Sequence, residues 1–112
     1  GRIYLPVNHG EGKFVANREI AQQLQKQKLI KLKYVGEKSN ENAAYPYNPN
    51  NSMLGIAAIT NKEGNVFGMM PHPEKFVTKY THPIWTRENL PEEGDGLRIF
   101  RNIVDYADKE LV

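Results

Sequence analysis

Two triplets in this chain place a histidine and a glutamate one residue apart: His9-Gly10-Glu11 and His72-Pro73-Glu74. Each follows a run that reads as a strand. In an extended segment residues two apart point to the same side, so each glutamate is expected to reach its own histidine. A carboxylate on one imidazole nitrogen fixes the tautomer and steadies the imidazolium formed when the other nitrogen takes a proton. That is a general base with its orienting acid. Prolines on both sides of His72 stiffen the peptide that carries the second pair. The plain alternative is a surface hydrogen bond. A metal reading joins His9, Glu11, His72 and Glu74, with His82 in reserve, because imidazole and carboxylate suit zinc. No two histidines stand at a ligand-like spacing such as i, i+4, so no metal site is expected.

A base needs something to deprotonate. The 112 residues contain no cysteine, which excludes disulfides, thiolate metal sites and a cysteine nucleophile supplied by this chain. Ser39, Ser52 and several threonines are present, yet none sits on a G-x-S-x-G elbow. The chain offers two members of a triad and no third.

The elements that must position these groups are short. Residues 2–7 alternate Ile3, Leu5 and Val7 with polar neighbours and predict a strand that Pro6 confines to an edge or an end. A second short strand is expected over 13–16. Asn17 is a good N-cap for a helix over 18–28 that turns Ile20, Ala21 and Leu24 to one face and closes on Lys26 and Lys28. Residues 29–35 alternate again, with Lys31 and Lys33 on the wet face. The polar segment 36–52 is long and carries Pro46 and Pro49, which forbid regular structure. Two nearly unbroken apolar runs, 55–60 and 66–70, flank a turn containing Gly64 and read as a hairpin buried on both faces. Residues 75–91 are irregular. Tyr45, Tyr47, Tyr80 and Trp85 lie in loops, where core or interface packing is the expected role. Gly94-Asp95-Gly96 opens a final helix with Leu97, Phe100, Val104, Ala107 and Leu111 at helical spacing.

Composition sets the outer bounds. A chain of 112 residues supports one domain at most. With 15 Lys and Arg against 13 Asp and Glu, the net charge of +2 gives no ground to expect nucleic acid. The longest uncharged apolar stretch, 53–60, falls far short of the roughly 20 residues of a membrane span, so no membrane is expected. No basic region followed by an apolar one opens the sequence, and a cytoplasmic location is expected. Four or five strands and two helices do not complete a layered α/β domain. Part of a larger fold is the better expectation. Its apolar edges, near 56–60 and 66–70, should then pair, giving a homodimer.

Three stretches, in order, carry a resemblance. Leu5-Pro6-Val7-Asn8-His9-Gly10-Glu11-Gly12-Lys13-Phe14 resembles the P-V-A-H-G-E-G-R-F signature of the phosphoribosylformylglycinamidine synthase family, in its class I glutamine amidotransferase subunit or domain. Tyr47-Asn48-Pro49-Asn50-Asn51-Ser52 resembles its N-P-N-G-S stretch, with Asn51 in place of the glycine. Asn65-Val66-Phe67-Gly68-Met69-Met70-Pro71-His72-Pro73-Glu74-Lys75 resembles G-N-V-x-G-M-M-P-H-P-E-R almost throughout, and the segment from Asp95 to Asn102 looks like the closing helix.

The resemblance implies an α/β fold, the C-terminal half of a flavodoxin-like class I glutamine amidotransferase domain, with residues 1–112 a partial domain lacking the nucleophile half. It implies a Cys-His-Glu glutaminase that hydrolyses glutamine and passes ammonia to a synthetase subunit or domain of the same enzyme, with or without a third small subunit. There, formylglycinamide ribonucleotide is amidated at the expense of ATP, in purine biosynthesis. His72 is then the catalytic base and Glu74 its orienting acid. His9, Glu11, Asn48, Asn50 and Ser52 are active-site-proximal or interface residues. No cofactor is implied in this chain; ATP and Mg belong to the partner synthetase. The chain alone should be inactive. The alternative is a non-catalytic docking or self-association module that keeps the half-fold.

Overall fold

The computed structural model describes residues 2–7, 12–36, 45–82, 86 and 89–111. They fall into two compact units. One is continuous, Val7–Met70; the other joins Gly1–Pro6 to Pro71–Val112.

The continuous unit holds a helix and a three-stranded antiparallel sheet. Helix α1, Arg18–Lys26, starts where expected: Asn17 Oδ1 accepts the Ile20 N–H at 2.8 Å. It ends earlier than the lysines suggested. Lys28 lies beyond the last turn with φ 56°, and two bonds close the helix around it, Lys28 N–H to the Gln25 carbonyl and Leu29 N–H to that of Leu24. This is the left-handed stop that glycine usually provides, so the sequence carried no signal for it.

Strand β1 (Ile30–Lys33), β2 (Ile56–Thr60) and β3 (Phe67–Met69) follow in spatial order, with β2 central. Ala58 faces Met69 and Thr60 faces Phe67 across the hairpin. The turn is held by Asn61, whose Oδ1 accepts the Asn65 and Val66 N–H groups. The β1–β2 register slips twice, between Ile30 and Leu32 and between Leu32 and Lys33. Those irregularities break the wet-face alternation, and Lys33 ends half-buried. Ile56, Ala57 and Ala58 on β2, with Ala21 and Tyr34, form the core of this unit.

Several expectations need correction. Residues 2–7 and 13–16 pair in no sheet, so the described residues contain three strands rather than four or five. Only β2 is deeply buried; β3 is an edge whose flank, Val66 and Phe67, is exposed. Conversely, 56–60 is the middle strand and offers no free edge. Tyr45, Tyr47 and Tyr80 are exposed and take no part in the core, and Trp85 lies outside the described residues.

In the second unit, helix α2 spans Asp95–Tyr106 and runs into a wider π-type turn over Ala107–Leu111. Its apolar residues recur as expected but find little cover: Phe100, Ile103 and Val104 are 38%, 51% and 64% exposed. Two bidentate or close ion pairs, Arg101 with Glu93 and Lys79 with Glu92, tie the 92–93 segment to its surroundings. No helix among the described residues is long and apolar enough to cross a membrane.

Candidate functional site

Two of the residues singled out by type and spacing meet in the second unit. Pro71 ends the preceding run, and Pro73 starts a single 3-10 turn, Pro73–Lys75, with His72 in extended backbone just before it. That geometry brings His72 Nδ1 to 2.6 Å from Glu74 Oε1. Both are accessible, His72 at 34% and Glu74 at 55% of the side chain.

The electrostatics fix the proton. The imidazole contact, with smaller help from the Glu74 backbone N–H, holds the Glu74 carboxyl below the usual 4.5. An ionised carboxylate only accepts, so Nδ1 must carry the hydrogen and Nε2 is left as the lone-pair nitrogen of the neutral ring. The pair can therefore take a proton at Nε2 and share the resulting charge with Glu74.

Backbone contacts hold this turn. His72 N–H donates to the Pro6 carbonyl at 2.8 Å, Lys75 N–H to the His72 carbonyl, and Phe76 N–H to that of Pro73. The start of α2 presses against the same turn: Gly96 N–H donates to the Phe76 carbonyl and Gly94 N–H to that of Val77. A Cβ at Gly96 would collide with the Pro73 carbonyl oxygen, and one at Gly94 with the Phe76 carbonyl oxygen. These glycines are needed for close approach. Buried Phe76 meets the Tyr4 ring edge-on at 5.5 Å, and His82 lies 4.2 Å from Tyr4 between ring centroids. The reserve metal ligand His82 is thus part of an aromatic stack. Among the described residues no group of three or more His, Asp or Glu side chains could hold a metal ion.

A second polar cluster stands in the continuous unit. Asn48 and Ser52 are buried. The Asn48 amide spans the loop, donating to the Ser52 carbonyl and accepting the Ser52 N–H, each at 3.1 Å. Ser52 Oγ accepts the Phe14 N–H at 2.9 Å and donates to Asn50 Oδ1 at 2.7 Å. The Phe14 carbonyl in turn accepts the Met53 N–H at 3.0 Å. Asn51, Leu54 and Gly55 all take positive φ near this loop, the first where the resemblance leads one to expect glycine. Tyr34, unnoticed as a site residue, ends here: its hydroxyl and Asn50 Nδ2 are buried without a well-formed partner. Burial raises the Tyr34 pKa, with the Asn50 side chain opposing it. His9 and Glu11 lie outside the described residues.

Sequence reasoning missed Tyr4, Pro6 and Asp95 as supports of His72. Their signal is a pairing across the length of the chain, which no local pattern carries.

Residues 1–107 match the family of CobB/CobQ-like glutamine amidotransferase domains. The chain belongs to that family. Curated relatives of the chain include phosphoribosylformylglycinamidine synthase subunit PurQ of Dehalococcoides mccartyi, 45% identical over 107 residues and 95% of this chain. The same-named subunits of Archaeoglobus fulgidus and Methanococcus maripaludis are 41% and 34% identical, over 96% and 95% of the chain. In each case the alignment covers only about two fifths of the relative, 40%, 39% and 43% in that order.

Proposed function

We propose that this amidotransferase chain is the base-carrying, C-terminal part of a glutaminase that serves a phosphoribosylformylglycinamidine synthase, its 112 residues forming a partial domain of a flavodoxin-like whole. The observation that carries the reading is the His72–Glu74 contact of 2.6 Å at the end of a proline-bounded turn. Support for the substrate comes from the names of the relatives.

In this reading a cysteine outside these residues attacks the side-chain amide of glutamine. His72 Nε2 takes the thiol proton and gives it to the departing ammonia, leaving a thioester. A water deprotonated at the same nitrogen then releases glutamate and restores the thiol. Glu74 keeps Nδ1 protonated throughout and stabilises the imidazolium. The ammonia passes to a synthetase partner that holds the ATP and Mg, where formylglycinamide ribonucleotide is amidated. With no sulfhydryl of its own, the 112-residue chain releases no glutamate from glutamine.

The test is His72→Ala in the assembled enzyme. Glutamine-dependent amidation should vanish while amidation from added ammonia continues. Equal loss of both removes His72 from the role. A second reading, a non-catalytic docking module, is favoured by the exposed apolar face of α2 at Phe100, Ile103 and Val104. It predicts an assembled protein whose glutamine-dependent rate is indifferent to His72→Ala.

A further inference from the structure

The contacts around His72 form a closed circuit with a single side chain in it. On the amide side, His72 N–H donates to the Pro6 carbonyl at 2.8 Å. Two residues earlier, Tyr4 N–H donates to Asp95 Oδ2 at 2.7 Å. On the carbonyl side, Lys75 N–H reaches the His72 carbonyl and Phe76 N–H that of Pro73, and the Phe76 carbonyl accepts Gly96 N–H at 2.9 Å. Asp95 and Gly96 are neighbours, so the two arms meet there. Every other link in the circuit is backbone to backbone.

Asp95 is the first residue of α2, where a carboxylate ordinarily serves its own helix. Here its oxygen accepts from a segment 91 positions away, and the preceding Gly94 provides no side-chain cap. We propose that Asp95 is a positioning residue for His72, coupling the segment that holds the His72 amide to the helix start that holds the turn carrying Glu74. The proposal rests on the glutaminase reading above.

A 2.6 Å contact between two partly exposed side chains persists only if their backbones keep their spacing. The Pro73–Lys75 turn sets that spacing, and its contact with Gly96 prevents the turn from opening. The Tyr4–Pro6 segment fixes the other end. Its aromatic anchor, Tyr4 on Phe76, leans on the same turn but gives no direction to the Tyr4 amide. Asp95 provides that direction.

Asp95→Ala and Asp95→Asn in the assembled enzyme test this. Asp95→Ala should lower kcat for glutamine hydrolysis about tenfold with KM within about twofold, since misplacement of a reacting group acts on the chemical step. In the nitrogen NMR spectrum of the same protein, the Nδ1-protonated signature of His72 should give way to a mixture of tautomers. Asp95→Asn keeps an acceptor oxygen and should restore most of both. Tyr4→Pro removes the donor together with the ring on Phe76, and Tyr4→Ala loses the ring but keeps the amide; Tyr4→Pro should reproduce Asp95→Ala where Tyr4→Ala does not, and the pair serves if Asp95→Ala does not fold. A normal kcat in Asp95→Ala overturns the proposal, as does a fall in kcat with the His72 signal unmoved. An Asp95→Asn variant as impaired as Asp95→Ala also overturns it. His72→Ala separates the two levels: if it hydrolyses glutamine normally, the glutaminase reading fails, whereas an inactive His72→Ala beside a normal Asp95→Ala sinks the positioning role alone.

Discussion

Asn48 and Ser52 are buried and direct their side-chain hydrogen bonds largely to backbone groups of their own unit, whereas His72 and Glu74 are partly exposed and bond to one another. In the loop, polar side chains do the work that a regular ladder does elsewhere, holding a backbone with positive φ at Asn51 and Leu54. In the turn, the backbone does the holding, through Pro6, Gly94 and Gly96, and among the described residues only Nδ1 of the imidazole has a side-chain partner. Two equally polar motifs thus divide into one whose side chains hold backbone and one whose imidazole and carboxylate stay accessible. The distinction lies in what remains available after folding.

Disturbing the turn through its backbone should have the largest effect. Gly96→Ala drives a methyl group into the Pro73 carbonyl oxygen, and a loss of about 3 kcal/mol in urea unfolding is expected for such overpacking. A variant as stable as the parent would mean that the turn has room to move. Asn48→Ala comes next. It strips the buried Ser52 N–H of its acceptor and the Ser52 carbonyl of one donor, leaving that carbonyl only the Gly55 N–H, and should cost about 2 kcal/mol. If it instead abolishes glutamine hydrolysis with unfolding unchanged, the loop is reactive as well and the contrast fails. Ser52→Ala leaves the Phe14 N–H without its acceptor and should cost about 1 kcal/mol.

The smallest effect belongs to the exposed pair itself. His72 holds the Glu74 carboxyl below 4.5, so the contribution of the pair is complete above that pH and disappears as pH falls through the lowered value. Unfolding midpoints of the parent and Glu74→Gln, followed from about pH 7 to about pH 3, should differ slightly and then converge. A gap that persists at the acidic end would show that Glu74 acts through something other than its charge.

The sequence was informative where a feature is local. The Asn17 cap, the hairpin centred on Gly64 and the His72–Glu74 contact all depend on neighbours within a few residues, and all three were legible. Lys28 stopping a helix in the left-handed region was not, because the residue type gives no warning. Residues 2–7 illustrate another limit. Their alternation reads as a strand, yet the described bonds from Tyr4 and Pro6 go to Asp95 and His72 rather than to a ladder. Similarly, helical spacing in α2 predicted the apolar face but not its exposure, since cover depends on what lies against it.

The order in which the chain leaves the ribosome gives the divided unit a further significance. Val7–Met70 is continuous, so the contacts within it need no later segment. Tyr4 must wait for Asp95, 91 positions later, and closing so long a loop is entropically costly. The imidazole support is therefore completed late, after the continuous unit has had time to form around its own sheet. Folding by stages follows when residues 4–6 brace a turn that is made only after the continuous unit.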